Sequence, residues 1–291
     1  CLPNDSIKIL LLHTSYAGVP FQVAADDKKT EYSSEYEYLV DKYTHLTAFF
    51  PLFHYFFSSS PVVTESYKKV MSFYCRRDLM QNYSVGDVSG DALKLLNGLK
   101  GLAIAEKQCI VPTGYPALDA NRRISRNILP ENILTYAPTP IVGKSHWQQY
   151  TSISMAKKIL ESLLVVFKDY KIVFKPYADE HHGLISDISN YLSKYDNFEL
   201  DLGGGNYLDL YAKTRVLISD FSGAAYTYAF TCERPVVFFS HNEDNLPKLV
   251  KDGYYCSGRN EVGLISTSIG ELIYSIKYAI NFMDEYTKRI I

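Results

Sequence analysis

Two clusters in this sequence have residue types and spacing suited to holding a phosphate. The first is Ser219-Asp220-Phe221-Ser222-Gly223, a polar turn between the apolar run Val216-Leu217-Ile218 and a stretch that reads as helix. A helix starting at Gly223 or Ala224 would leave its first backbone N–H groups without intrahelical acceptors. Together with the positive dipole end they favour an anion, by about 0.3–1 kcal/mol for each such interaction. Ser222 is also a preferred helix cap, so capping and ligand binding are both open at that residue. The second cluster is Lys175-Pro176-Tyr177, where a lysine closes an apolar run. A lysine there either meets an anion or snorkels to the surface. Thr139 follows a third apolar run. Gly203-Gly204-Gly205-Asn206 would admit a ligand close to the backbone, but it matches neither a dinucleotide fingerprint nor a P-loop, and a plain loop explains the triplet equally well.

The histidines are weighed by position. His13 ends the apolar run Ile7 to Leu12 and precedes a glycine-containing turn, a place from which an imidazole can act as general base or serve only the fold. His146, beside the single tryptophan Trp147, is a candidate lid residue, and His181 with His182 a candidate polar rim. His45, His54 and His241 read as structural. No Asp-x-Asp pair occurs, so no metal and no cofactor are expected. Backbone amides, hydroxyls and Lys175 would have to neutralise a bound phosphate.

These residues need elements to carry them. Strands are expected at 7–12, 52–57, 108–111, 133–137, 171–175, 197–200, 215–219 and 235–239, from apolar runs bounded by turn residues. Helices are expected at 62–75, 91–108, 151–168, 183–195, 206–213, 223–231 and 268–288, the last long enough to reach back across the first domain. Strands alternating with helices specify an α/β fold with a doubly wound parallel sheet, whose strands deliver their polar residues at one carboxyl edge. The segment 112–132, rich in turn and polar residues, reads as an interdomain crossing, and the expected domains are 1–120 and 121–291.

Composition limits the partners. Thirty Lys and Arg against 32 Asp and Glu give a net charge of -2, which provides no field for a nucleic-acid backbone, so no nucleic acid is expected as partner. Five scattered cysteines without metal-ligand spacing read as reduced thiols, and a cytoplasmic setting is expected. No run reaches the roughly eighteen apolar residues of a membrane span. No signal peptide is expected from the opening residues, and because the chain opens on Cys1 rather than Met its native start is expected to lie elsewhere.

Taken together, CIVPTGYPALD (109–119), ILTYAPTP (133–140), IVFKPYADE (172–180) and the block from Tyr207 to Phe239 resemble the CDP-glycerol glycerophosphotransferase family, from about residue 109 onward. The resemblance implies a GT-B fold of two facing Rossmann-like domains, the first on the acceptor side and the second binding the donor; the first half is short for such a domain, so either the chain is a fragment or that domain is abbreviated. It implies a CDP-linked donor, a polymer or lipid-linked acceptor of teichoic-acid or capsule type, and work at the inner face of the membrane. By the same resemblance Ser219, Asp220, Ser222 and Gly223 hold the donor diphosphate and His13 falls near the family's first-domain histidine. Where the family carries His-Pro one spacer after a basic residue, this chain has Lys175-Pro176-Tyr177, and the expected substitute donor is Tyr177 or, alternatively, His181 or His182. That departure keeps a nucleotide-sugar glycosyltransferase of the same fold as an alternative, and a binding module without turnover as a third.

Overall fold

The computed structural model describes residues 9–11, 54–58, 64, 68, 109–139, 150–177, 182–203, 207–246, 256 and 258–290. The chain divides into two compact units, residues 1–116 and 117–291.

In the first unit three short strands, β1 (Ile9–Leu11), β2 (Tyr55–Ser58) and β3 (Cys109–Pro112), pair in parallel in the order β1-β2-β3. Phe56, in the middle strand, is completely buried. The Thr113 N–H continues the ladder to the Ser58 carbonyl at 2.9 Å. Gly114 then takes φ +69°, a left-handed turn that a side chain would strain. Of the helix expected at 62–75, Thr64 and Lys68 are described and both are helical, whereas the helix expected at 91–108 lies outside the described residues.

The second unit is a six-stranded parallel sheet. Its strands are β4 (Ile133–Tyr136), β5 (Lys171–Phe174), β6 (Phe198–Leu200), β7 (Val216–Ser219), β8 (Val236–Phe239) and β9 (Gly263–Ser266), in the order β6-β5-β4-β7-β8-β9. Between and around them run α1 (Pro116–Ser125), α2 (Ala156–Val166), α3 (His182–Leu192), α4 (Leu208–Lys213), α5 (Gly223–Cys232), α6 (Arg259–Val262), α7 (Ile269–Asn281) and α8 (Met283–Ile290). Alternate strand residues point to opposite faces, and both faces are covered. Leu134, Tyr136, Ile172, Phe174, Ile218 and Phe239 pack with α2, α3 and α7, while Leu217, Val236 and Phe238 pack with α4, α5 and Val262 of α6. The core strands therefore read as unbroken apolar runs.

Three expectations change. Residues 116–125, read as part of a crossing, form α1; the first turn carries Asp119 and the last turn Arg122 and Arg123, charges that suit the helix dipole. The expected helix 268–288 is two helices that part at Phe282, with Ser268 capping the first and Glu271 accepting from the Thr267 N–H and Oγ1. The edge strand β9 is new. It can pair with β8 because Gly263 brings its backbone so close that a Cβ would stand 1.9 Å from the Val236 carbonyl oxygen.

Candidate functional site: the switch point of the second sheet

In chain order the sheet starts at β4, adds β5 and β6 on one side, and then adds β7, β8 and β9 on the other. The carboxyl ends of β4 and β7 thus border the place where the direction reverses, the usual ligand crevice of such sheets. Thr139 follows β4 there, Ser219 ends β7, and Asp220 to Gly223 follow it.

Asp220 organises this crevice. Its side chain is 1% exposed, and its Oδ1 accepts from the Thr139 N–H at 2.8 Å, the Thr139 hydroxyl at 2.5 Å and the Phe221 N–H at 2.7 Å. Its Oδ2 accepts from the Ser152 N–H at 2.6 Å and the Ser152 hydroxyl at 2.8 Å. A buried carboxylate is tolerated when donors meet both oxygens, and here donors from two other segments and from the next residue do so. The Tyr136 hydroxyl lies 2.8 Å from the Ser152 Oγ, and burial first, then the nearby Asp220 charge, push its pKa well up, so it stays a neutral phenol. Ser219 is equally enclosed: it is fully buried and its hydroxyl donates to the Ala137 carbonyl at 2.6 Å. The side-chain oxygens of Asp220 and Ser219, both expected at the diphosphate, are engaged in hydrogen bonds within the protein.

What the turn leaves open is backbone. Ser222 adopts an extended conformation and its Oγ accepts from the Ala224 N–H at 3.2 Å, a true N-cap of α5. Gly223 is exposed, and neither the Ser222 nor the Gly223 N–H has a protein acceptor among the described residues. Two adjacent amides without a protein acceptor among the described residues thus stand at the start of a ten-residue helix beside the switch point, an arrangement whose dipole and free donors suit an anion.

The end of β5 behaves differently. The Lys175 ammonium donates to Asp201 Oδ2 at 3.1 Å and to the Gly203 carbonyl at 2.9 Å, and its side chain is 10% exposed. Asp201 in turn accepts from the Gly203 N–H at 2.7 Å. The anion that justifies this lysine is thus a side chain of β6's end, and Lys175 orders the first residue of the glycine triplet. Tyr177 is 57% exposed. His13, His146, His181, Gly204, Gly205 and Asn206 lie outside the described residues. Among the described residues no group of three or more His, Cys, Asp or Glu could hold a metal ion.

Sequence reasoning missed Ser152 and Asp201. Ser152 belongs to no motif and reaches Asp220 only through the fold. Asp201 carried a signal, being the polar residue that ends its own strand run.

The sheet and its switch point define an α/β unit of the doubly wound parallel type. The chain belongs to the family described as CDP-Glycerol:Poly(glycerophosphate) glycerophosphotransferase, which matches residues 104–291. The minor teichoic acid biosynthesis protein GgaB of Bacillus subtilis (strain 168) is 23% identical over 146 residues, 50% of this chain and 15% of that protein. Among solved structures, the wall teichoic acid polymerase TagF aligns at 20% identity and TM-score 0.49, covering 85% of this chain and 53% of that one. WaaG, a glycosyltransferase involved in lipopolysaccharide biosynthesis, aligns at 15% identity and TM-score 0.40, covering 82% and 69%. The chain therefore spans about half of the TagF chain and a smaller part of GgaB.

Proposed function

We propose that this chain transfers a glycerol-phosphate-like group from a CDP-linked donor to a hydroxyl of a cell-surface polymer of teichoic-acid or capsule type. Family membership supports the reaction class, and the unpaired Ser222 and Gly223 N–H groups are the observation that carries the donor site. In this reading the second unit is the donor-binding domain and the first the acceptor-side domain of a GT-B enzyme.

The donor diphosphate lies on the α5 N-terminus, held by the Ser222 and Gly223 amides. Thr139, Ser219 and Asp220 keep the turn in shape, and Lys175 sets the approach of the glycine triplet, with Gly204, Gly205 and Asn206 lining the donor. The acceptor oxygen attacks the β-phosphorus in line. A new P–O bond forms as the bond to the bridging oxygen breaks, CMP leaves, and the hydroxyl proton passes to His13. The amides stabilise charge on the phosphoryl oxygens. Tyr177, exposed at the crevice edge, donates a hydrogen bond where the family carries histidine. The lid and rim roles proposed for His146 and His181 fall on residues outside those described. Among the described residues no helix is long and apolar enough to cross a membrane, and we assign the protein to the cytoplasmic face as a peripheral component meeting a polymer or lipid-linked acceptor.

Incubation with CDP-glycerol and with UDP- and CMP-linked sugars, followed by detection of released nucleotide and of the new linkage, tests this. Release of CMP with formation of a phosphodiester is expected. A glycosidic product would select the glycosyltransferase reading, which the tyrosine at 177 keeps open, and nucleotide binding without turnover of any donor would overturn both.

A further inference from the structure

We infer that Arg259 is a positioning residue for the donor turn, acting through the ring of Phe221; the inference rests on the donor reading given above. Arg259 opens α6, yet its side chain is only 2% exposed. Its Nη2 donates to Glu243 Oε1 at 2.7 Å and its Nε to the Cys256 carbonyl at 3.1 Å. Its Cζ stands 5.2 Å from the centroid of Phe221, over the ring. Its Nη1 is buried with no acceptor among the described residues.

A buried guanidinium with one unmade hydrogen bond is a poor choice for stability alone, since apolar residues of similar volume replace buried ion pairs with little or no loss. What arginine supplies and an apolar residue does not is a planar cation that can lie on an aromatic face while its edge is held by hydrogen bonds. Phe221 is the residue on which that matters. It sits between Asp220, to which its N–H donates at 2.7 Å, and Ser222, the cap of α5. Its backbone is therefore held by the carboxylate and its ring by the cation. The direction of the next two N–H groups, those of Ser222 and Gly223, follows from both restraints. Glu243 lies just beyond β8 and Arg259 just before β9, so the brace also couples the turn after β7 to the far side of the sheet.

Isothermal titration of CDP into the full chain, alongside thermal midpoints, tests the inference with R259M, R259K, F221L and the double variant R259M/F221L. R259M and F221L are each expected to weaken CDP binding about tenfold, with the double variant no weaker than either, because both remove one restraint. R259K keeps a cation over the ring and should recover most of the affinity. A merely structural arginine would lower the thermal midpoint of R259M and leave CDP affinity unchanged, which overturns the inference. If R259M does not fold, F221L and R259K decide, and wild-type affinity in F221L overturns it. Failure of the unaltered chain to bind CDP would instead remove the donor reading on which this one stands.

Discussion

The carboxyl ends of β7 and β5 flank β4 on its two sides, and they solve the burial of a charged group in opposite ways. After β7, Asp220 has its oxygens met by N–H and O–H dipoles of Thr139, Ser152 and Phe221. After β5, Lys175 is met by the opposite charge of Asp201 and by a carbonyl. The first arrangement draws three segments onto one carboxylate and leaves the amides of the next residues unpaired, which suits a rigid anion seat. The second is a half-open ion pair that orders a loop, and its side chains remain near solvent. Rigidity comes from saturating a buried charge with backbone dipoles, because each donor is fixed by the chain that carries it.

The largest test of this contrast is D220N. The amide keeps the size but turns a donor group toward donors, so the variant should lose more than about 3 kcal/mol of stability in chemical denaturation, as expected when several hydrogen bonds to a buried charge are broken. A loss below about 1 kcal/mol would mean that the dipoles are not what holds the switch point together.

D201N probes the other end. It removes the charge that meets Lys175 while keeping a polar partner, and a loss of about 1–2 kcal/mol is expected for a partly buried pair. A double-mutant cycle with K175M should find the two effects coupled. Independent effects would show that Asp201 acts on Gly203 alone.

S222A sharpens the comparison at the ligand side. Loss of the cap should cost about 1 kcal/mol of stability. The Ser222 and Gly223 amides remain, so CDP binding should weaken by less than about tenfold, that is by under about 1.4 kcal/mol. Complete loss of binding would place the hydroxyl, rather than the amides, on the ligand.

A last, separate test is alkaline. Burial raises the Cys232 and Cys256 thiols to about 11 from an ordinary 9, with Arg234 and Arg259 respectively pulling them partly back. Folded pKa values above unfolded ones mean full stability below about pH 9 and a decline between about pH 9 and pH 11 as the unfolded thiols ionise first. Slow alkylation of these two cysteines at pH 8 is the companion measurement, since the thiolate is the reactive form.

Much of the fold was legible. Apolar strands buried on both faces leave unbroken Val, Ile, Leu and Phe runs, so β4, β5, β7 and β8 stand out in the sequence. β9 did not, because Gly263-Leu264-Ile265-Ser266 is short and its glycine looks like a loop until a neighbouring carbonyl explains it. Helix α1 was hidden by Pro116 and by a polar surface. Glu233 was invisible as well: it takes φ 55° after α5, and its carboxylate meets Arg122 and Arg126 of the α1 region, contacts across more than a hundred residues.

For this protein the amino-acid sequence by itself determined the class of the second unit and the turn on which its site is built, because strand periodicity, helix caps and glycine positions are local properties of a few neighbouring residues. Only the tertiary structure decided what each polar side chain does there. Strand order put Thr139 and Ser152 against Asp220 and put Asp201 against Lys175, and so gave both charged side chains partners within the protein. The reason is that a buried charge takes whichever partners the fold brings within hydrogen-bond reach, and those partners lie 26 to 81 residues away along the chain.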